Sequence, residues 1–341
     1  MIFVTGGTGL IGSHLLFELV SRGKNVTALR RESSDIQHVL NTFSFYSDDP
    51  EGLFSRIKWV TGDILDYFNL QKLLTGAEEV YHCAAVVSFQ KSERAGMITN
   101  NVEGTANVVN ACLENRINKL CHVSSVSALG KAQEGSLTDE LTNWVPSKKI
   151  SGYSESKFFS EMEIWRGIEE GLDAVIVNPS IVLGPGKRDS GSAQFFKVVW
   201  DGLKFYTRGV TGFVDIKDVV RAMILLMEDR NFDKCKNQRF LLNSENISYQ
   251  DLFNQIADAL GRPRPEYFAS PFLLNLAWRV TALIHTAYKK FPALSYDTAL
   301  AANAINLYDG NKITRFLNFE YTPVARSVKQ TSEYFLCMKN K

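Results

Sequence analysis

The sequence is poor in the residues that build staples and metal cages. Its five cysteines, Cys83, Cys112, Cys121, Cys235 and Cys337, form no C-x-x-C pair, and no Cys/His cluster has metal-ligand spacing. Neither a disulfide framework nor a metal site is expected, and an odd cysteine count suits a reducing compartment. Charge of one sign is missing too. Thirty-eight Lys and Arg against 37 Asp and Glu leave a net charge of +1, so no basic field exists to grip a phosphate backbone and no nucleic-acid partner is expected. Long apolar runs are absent. The most apolar stretch, from Phe272 to Tyr288, is too short to span a bilayer and carries Asn275, Arg279 and His285. The chain opens on Met-Ile-Phe-Val-Thr, which reads as a strand rather than a secretion signal, so the expected location is cytoplasmic.

What is present is core material. The 341 residues are 45% hydrophobic and 22% charged, and 22 Phe, 12 Tyr and 5 Trp supply surface to bury, which excludes disorder. That length exceeds what one core usually holds, so one large or two interleaved domains are expected. Short β-rich runs (Ile2–Thr5, Val26–Leu29, Ile57–Val60, Glu79–His82, Leu120–Ser124, Ala174–Asn178) alternate with amphipathic stretches such as Leu10–Ser21, Met97–Glu114 and Tyr153–Glu170. Alternation with short connections is the pattern of an α/β fold, a doubly wound parallel sheet. After Leu183 the regularity loosens at Gly184-Pro185-Gly186, Gly191 and Gly202, with one more helix at Ile216–Met227 and one more strand at Arg239–Asn243. The expected organisation is a sheet domain over 1–183 with a return over 213–245, an insertion at 184–212, and a smaller, mostly helical C-terminal cap over 246–341.

The first strand runs into Thr5-Gly6-Gly7-Thr8-Gly9-Leu10-Ile11-Gly12, which opens the first helix. Gly6, Gly9 and Gly12 have G-x-x-G-x-x-G spacing, a variant of the dinucleotide fingerprint: a tight turn, a backbone with no Cβ facing the pyrophosphate, and a close helix–strand contact. The helix N-terminus adds unpaired N–H groups and partial positive charge. The second strand ends at Arg30-Arg31, where an acidic residue would bind both ribose hydroxyls. Guanidinium groups suit a 2′-phosphate instead, so NADP(H) is favoured over NAD(H); a solvated basic pair is the plainer alternative.

Tyr153 and Lys157 stand at i and i+4, hence on one helical face, one strand and loop after Ser124-Ser125 at the end of the fifth strand. The carboxyl ends of strands are where ligands sit in such sheets. An ammonium beside a phenol would lower the Tyr153 pKa toward working pH, which acid–base catalysis needs, while a serine hydroxyl holds the substrate oxygen. His82 and His122, at strand ends, are read as structural. Ser124 is read as satisfying backbone, and Asp63 as a helix N-cap, a use compatible with ligand binding.

Together these motifs resemble the extended short-chain dehydrogenase/reductase family, also called the NAD(P)-dependent epimerase/dehydratase family. The likeness covers nearly the whole chain, through the glycine turn, Gly62-Asp63-Ile64, His82-Cys83-Ala84-Ala85, Asn101-Val102-Glu103-Gly104-Thr105, Ser124-Ser125, Tyr153/Lys157 and Asn178-Pro179-Ser180. Cys83 departs from a small residue preferred there. The resemblance implies a Rossmann-type domain in which Leu10 and Ile11 accompany the glycine turn and Asp63 and Ile64 contact the adenine. Backbone at Cys83, Ala84 and Ala85 would line the cofactor cleft, and Asn101 would help order the site. Ser125, five residues before Gly130, matches the catalytic hydroxyl. Tyr153 would exchange the proton, Lys157 would also hold the nicotinamide ribose, and Pro179 would contact the nicotinamide end. It further implies a homodimer through the helices containing Met97–Glu114 and Tyr153–Glu170.

Within that family, no carboxylate follows Ser125, where dehydratases carry an Asp-Glu pair, and no arginine immediately precedes Phe213-Val214-Asp215-Ile216-Lys217-Asp218, where nucleotide-sugar enzymes tend to have one. Val86-Val87-Ser88-Phe89 and Tyr308-Asp309-Gly310-Asn311-Lys312 look most like the dihydroflavonol-reductase-like branch. The expected activity is hydride transfer between nicotinamide C4 and a carbonyl or alcohol of a small, apolar substrate. The alternatives are a nucleotide-sugar epimerase and a non-catalytic dinucleotide-binding regulator. Phe272, Leu276, Val280, Leu283, Ile284 and Ala287 fall on one helical face, read as packing on the pocket or on a partner subunit, with membrane-surface contact as the alternative.

Overall fold

The computed structural model describes residues 1–133, 135–147, 150–188, 191–270 and 302–339. The helical face expected over 272–287 lies outside the described residues. The N-terminal half is β1 (Ile2–Thr5), α1 (Leu10–Ser21), β2 (Val26–Arg30), α2 (Gln37–Tyr46), α3 (Pro50–Phe54), β3 (Ile57–Thr61), α4 (Tyr67–Leu73), β4 (Glu79–His82), α5 (Arg94–Glu114), β5 (Lys119–Val123), α6 (Gly152–Glu169) and β6 (Ala174–Pro179). After it come β7 (Ile181–Leu183), α7 (Ala193–Trp200), β8 (Phe205–Tyr206), β9 (Val210–Asp215), α8 (Ile216–Met227), α9 (Asp229–Cys235) and β10 (Gln238–Leu242). The chain closes with β11 (Glu245–Ser248), α10 (Tyr249–Leu260), β12 (Tyr267–Phe268), α11 (Asn311–Leu317) and α12 (Val324–Lys339).

Seven strands form a parallel sheet in the order β10-β6-β5-β4-β1-β2-β3, the doubly wound Rossmann arrangement. Its central strands are apolar on both faces because both faces are covered. Along β1 the alternation sends Val4 into a core with Leu15, Leu16, Val219 and Met223, while Phe3 enters the opposite core with Val108, Val109 and Ile164. Strands β5 and β6 alternate likewise, Cys121 and Val175 to the first core and Leu120 and Ile176 to the second.

Helix starts are set by side-chain oxygens: Ser151 caps α6, Asp215 caps α8 and Ser248 caps α10. The N-cap expected of Asp63 belongs to Asp66, whose side chain accepts from Asn69 N; Asp63 makes a tighter turn by accepting from Leu65 N at 3.0 Å.

A separate core forms beyond the sheet, where Phe196 and Val199 of α7 meet Leu252 and Ile256 of α10 and Val328 of α12 around Phe213. This region is less purely helical than expected, because it holds a three-stranded sheet, β11-β9-β7, and the short pair β12-β8. Four of these five strands have only two to four residues and carry too little alternation to be read from sequence; β9 has six. Helix α11 instead sends Ile313, with Phe319 just beyond it, into the main core. Among the described residues, no helix is long and apolar enough to cross a membrane.

Candidate active site

The sheet order reverses between β1 and β4, and at such a point the carboxyl ends of the strands leave a crevice for a ligand. The glycine turn enters it. Gly6 sits at φ +70°, and a Cβ there would lie 2.5 Å from both Ala84 N and Cys83 C, so the turn presses directly on the backbone after β4. A Cβ at Gly12 would fall 2.1 Å from the Gly6 oxygen. Gly9 is the N-cap of α1 with no capping side chain, and no acidic residue stands in the first turn, where Leu10 and Ile11 are half-buried. Backbone N–H groups there face no competing carboxylate from their own turn. On the adjacent strand Arg30 is half-buried, and its Nε is buried with no hydrogen-bond partner among the described residues, whereas Arg31 is exposed. A bare-backbone cradle and an orphaned guanidinium N–H fit the phosphates of a dinucleotide. Gly62 N donates to Arg30 O at 3.0 Å, which puts Asp63 on the same edge of the sheet. Ile64 turns its side chain into the core, and its carbonyl accepts from Asn107 at 3.0 Å.

Across the crevice, Ser125 follows β5, and α6 brings Tyr153 and Lys157 to it. Ser151 Oγ accepts from Ser154 N at 3.1 Å and fixes the turn that carries Tyr153. The Tyr153 phenol is hydrogen-bonded to Ser125, whose Oγ also accepts from Ser127 N at 3.1 Å. Lys157 is buried, and its Nζ donates to Val123 O at 2.9 Å. Asn101 is held at both ends of its amide: its Oδ1 accepts from Val86 N at 2.7 Å, and its Nδ2 donates to Val86 O at 2.9 Å and Ser156 Oγ at 3.2 Å. It therefore ties the loop after β4 to α6. That loop carries Phe89, whose ring stands edge-on to Tyr153 at 5.6 Å, beside the exposed Val87. Pro179, at the end of β6, is buried. The structure thus brings together Ser125, Tyr153, Lys157 and Asn101 on one side and the glycine turn with Cys83, Ala84 and Ala85 on the other.

Two expectations change. Tyr153 is not lowered by Lys157: burial raises its pKa above 10.0, with only the Ser125 hydrogen bond opposing. The Lys157 ammonium is directed at the Val123 carbonyl, and burial draws its own pKa down to about 8, with Cys83 and Glu161 opposing. Ser124 does not serve the backbone with its hydroxyl, which donates to Glu161 Oε2 at 2.6 Å.

His82 and His122 are buried and their rings lie 5.1 Å apart. His82 joins Thr5 Oγ1 at 2.7 Å to Thr105 Oγ1 at 3.1 Å; Ala84 N donates to the first hydroxyl, and the second donates to Asn101 O at 2.7 Å. Burial lowers the pKa of His82 to about 3 and of His14 to about 4, and holds His122 well below 6.5. The unfolded chain therefore takes up protons first as pH falls. The stability these rings contribute is complete above pH 6.5 and is lost below it, by up to about 1.4 kcal/mol per pH unit for each imidazole. Urea denaturation should give a clearly lower midpoint at pH 5 than at pH 7; equal midpoints would exclude neutral buried rings.

Sequence reasoning overlooked Glu161, Arg239, Thr5 and Thr105. Glu161 had a usable signal, since it continues the i, i+4 series of Tyr153 and Lys157 on the same helical face. Arg239 had none, because its partner lies 78 positions away.

A model of the NAD dependent epimerase/dehydratase family matches residues 2–238. Over 336 residues the chain is 27% identical to a putative dihydroflavonol 4-reductase of Synechocystis sp., covering 98% of this chain and 94% of that protein. It is 27% identical over 276 residues to sterol demethylase protein B of Methylococcus capsulatus, covering 80% and 78%. Among solved structures it resembles the UDP-glucose 4-epimerase of Thermotoga maritima, with a TM-score of 0.77 at 22% identity over 99% of each chain.

Proposed function

The chain belongs to the NAD dependent epimerase/dehydratase family, and within that family we propose that it is an NADP(H)-dependent carbonyl reductase or alcohol dehydrogenase acting on a small apolar substrate. The observation that carries this reading is the Tyr153 phenol, hydrogen-bonded to Ser125 with the Phe89 ring edge-on to it. A proton donor with an aromatic wall suits a ketone on an apolar frame better than a charged sugar nucleotide. The dihydroflavonol 4-reductase likeness supports a reductase, and the sterol demethylase protein B likeness supports an apolar substrate. Arg208, the nearest substitute for the arginine of nucleotide-sugar enzymes, is stacked on Phe268 at 4.5 Å.

When bound, the dinucleotide supplies hydride at nicotinamide C4. The chain does the rest. Ser125 holds the substrate oxygen, and Tyr153 delivers its proton there as hydride arrives. Its raised pKa keeps that proton in place until the oxygen becomes strongly basic. Lys157 holds the ribose, Arg30 the 2′-phosphate, and the glycine turn the pyrophosphate. The substrate-facing cap is assigned to 184–212 and 246–341, which the core shared by α7, α10 and α12 supports, although α11 packs on the main core. A homodimer along α5 and α6 is supported by Phe159, which α6 leaves exposed, and a cytoplasmic location completes the reading.

The test follows NADPH and NADH absorbance across aldehydes, ketones, flavanonols, ketosteroids and nucleotide sugars, with Arg30→Ala alongside wild type. We expect net NADPH consumption with an apolar ketone. The preference over NADH, about 10- to 100-fold in kcat/KM for one charge-assisted contact, should largely vanish in the variant. Epimerised sugar nucleotide without net oxidation would replace this reading with the epimerase, and bound cofactor without turnover would favour the regulator.

A further inference from the structure

One buried acid takes no part in the mechanism above. Glu161 lies on α6 one turn beyond Lys157 and is 1% exposed. A buried carboxylate is costly unless every lone pair is matched. Here each oxygen has two donors. Oε2 accepts from Ser124 Oγ at 2.6 Å and Asn178 Nδ2 at 2.7 Å; Oε1 accepts from Arg239 Nη1 at 3.1 Å and Trp165 Nε1 at 3.3 Å. The Asn178 amino group is fully used, since it also donates to Ser125 O at 3.1 Å, while its Oδ1 is buried with no partner among the described residues. Arg239 is anchored in turn, its Nε donating to Glu140 O at 2.7 Å and its carbonyl accepting from Lys312 at 2.7 Å. One carboxylate therefore joins α6 to the ends of β5 and β6 and to β10, and the peptide it pins on both sides is that of Ser124-Ser125.

We propose that Glu161 is the positioning residue of this site, clamping Ser125 through Ser124 and Asn178 onto the helix that carries Tyr153 and Lys157. The inference rests on the reading of those three as the reacting groups. It also bears on Lys157. The groups facing that ammonium are Cys83 and His82 at the end of β4, His122 from β5 and Glu161 from α6, while Arg239 of β10 shares Glu161. Burial opposes the lysine charge while Cys83 and then Glu161 favour it; with the Cys83 thiol pushed up to about 12, Glu161 is the carboxyl group of the two.

Glutamine at 161 would keep the volume but turn an NH₂ group toward two of the four donors. The test compares wild type, Glu161→Gln and Ser124→Ala as full chains, using NADPH fluorescence titrations from pH 6 to 9.5 and turnover of whichever carbonyl the wild type reduces. Wild-type affinity should fall with a midpoint near pH 8 as Lys157 loses its proton. In Glu161→Gln that midpoint should move lower by about one unit, and kcat should drop by up to about 100-fold with little change in KM. Ser124→Ala, which keeps the carboxylate, should lower kcat and leave the midpoint in place. A folded Glu161→Gln with wild-type midpoint and kcat would overturn the proposal. If that variant does not fold, unchanged kcat in Ser124→Ala overturns it and reduced kcat supports it. A wild type with no turnover defeats the assigned activity instead, and the binding midpoints alone then decide the role of Glu161.

Discussion

Replacing Tyr153 with phenylalanine is expected to slow hydride transfer by about 10²- to 10⁴-fold, the range set by loss of a positioned proton donor. The substitution is narrow. Phenylalanine keeps the ring that stands edge-on to Phe89 and removes only the hydroxyl bonded to Ser125. The glycine turn and Arg30 are untouched, so dinucleotide affinity should stay close to wild type and the loss should appear in kcat. The pH profile adds a second signature. Reduction needs the protonated phenol, and burial raises its pKa above 10.0, so no tyrosine-linked decline should appear below pH 10. A decline nearer pH 8 would instead report Lys157. Stopped-flow NADPH oxidation on both proteins checks this. A variant within a few-fold of wild type would remove Tyr153 from the chemistry.

The second large effect concerns Gly6. Alanine there would occupy the left-handed region at about 1–2 kcal/mol. Its Cβ would also sit 2.5 Å from two backbone atoms of the segment after β4, which cannot rotate away as a side chain can. Relief requires the turn or that segment to move, and overpacking of this kind adds about 1–3 kcal/mol. Because the same turn is the proposed phosphate cradle, dinucleotide binding should fall by at least about 100-fold, a change of roughly 3 kcal/mol. Gly23 is the matched control. Its φ is +71° but nothing lies within 4 Å of a Cβ there, so Gly23→Ala should show the strain alone and bind normally. NADPH titration by fluorescence and calorimetric melting separate the two, and normal binding by Gly6→Ala would sink the assignment of the cradle.

Much of this site was legible in the sequence because its signals are local. The β1–turn–α1 unit fits in residues 2–21, Tyr153 and Lys157 are one helical turn apart, and Arg30 ends a strand whose five residues are readable alone. What was hidden depends on distant pairing. The partner of Glu161 is 78 positions away, Thr5 and His82 are separated by 77, and Asn178 reaches Ser125 across 53. The direction of the Tyr153 shift was hidden for a related reason. Spacing places an ammonium near a phenol but not the Val123 carbonyl that claims it. The cap of α4 was misplaced by three residues because Asp63 and Asp66 are equally good oxygens, and only backbone geometry chooses between them.

The run of hydrogen bonds through His82 has a built-in direction. At one end stands Ala84 N–H, which can only give; at the other stands the Asn101 carbonyl, which can only receive. Each hydroxyl between them owns a single proton. Thr5 must therefore pass its proton to Nδ1, and Nε2 must carry the hydrogen that reaches Thr105. The imidazole acts as a one-way coupling, its tautomer dictated by the Asn101 carbonyl through Thr105. Reversing the ring would set acceptor against acceptor at Thr105, whose one proton is already given to the Asn101 carbonyl. The loop beside the glycine turn is thus joined to α5 through one ring whose polarity the helix sets.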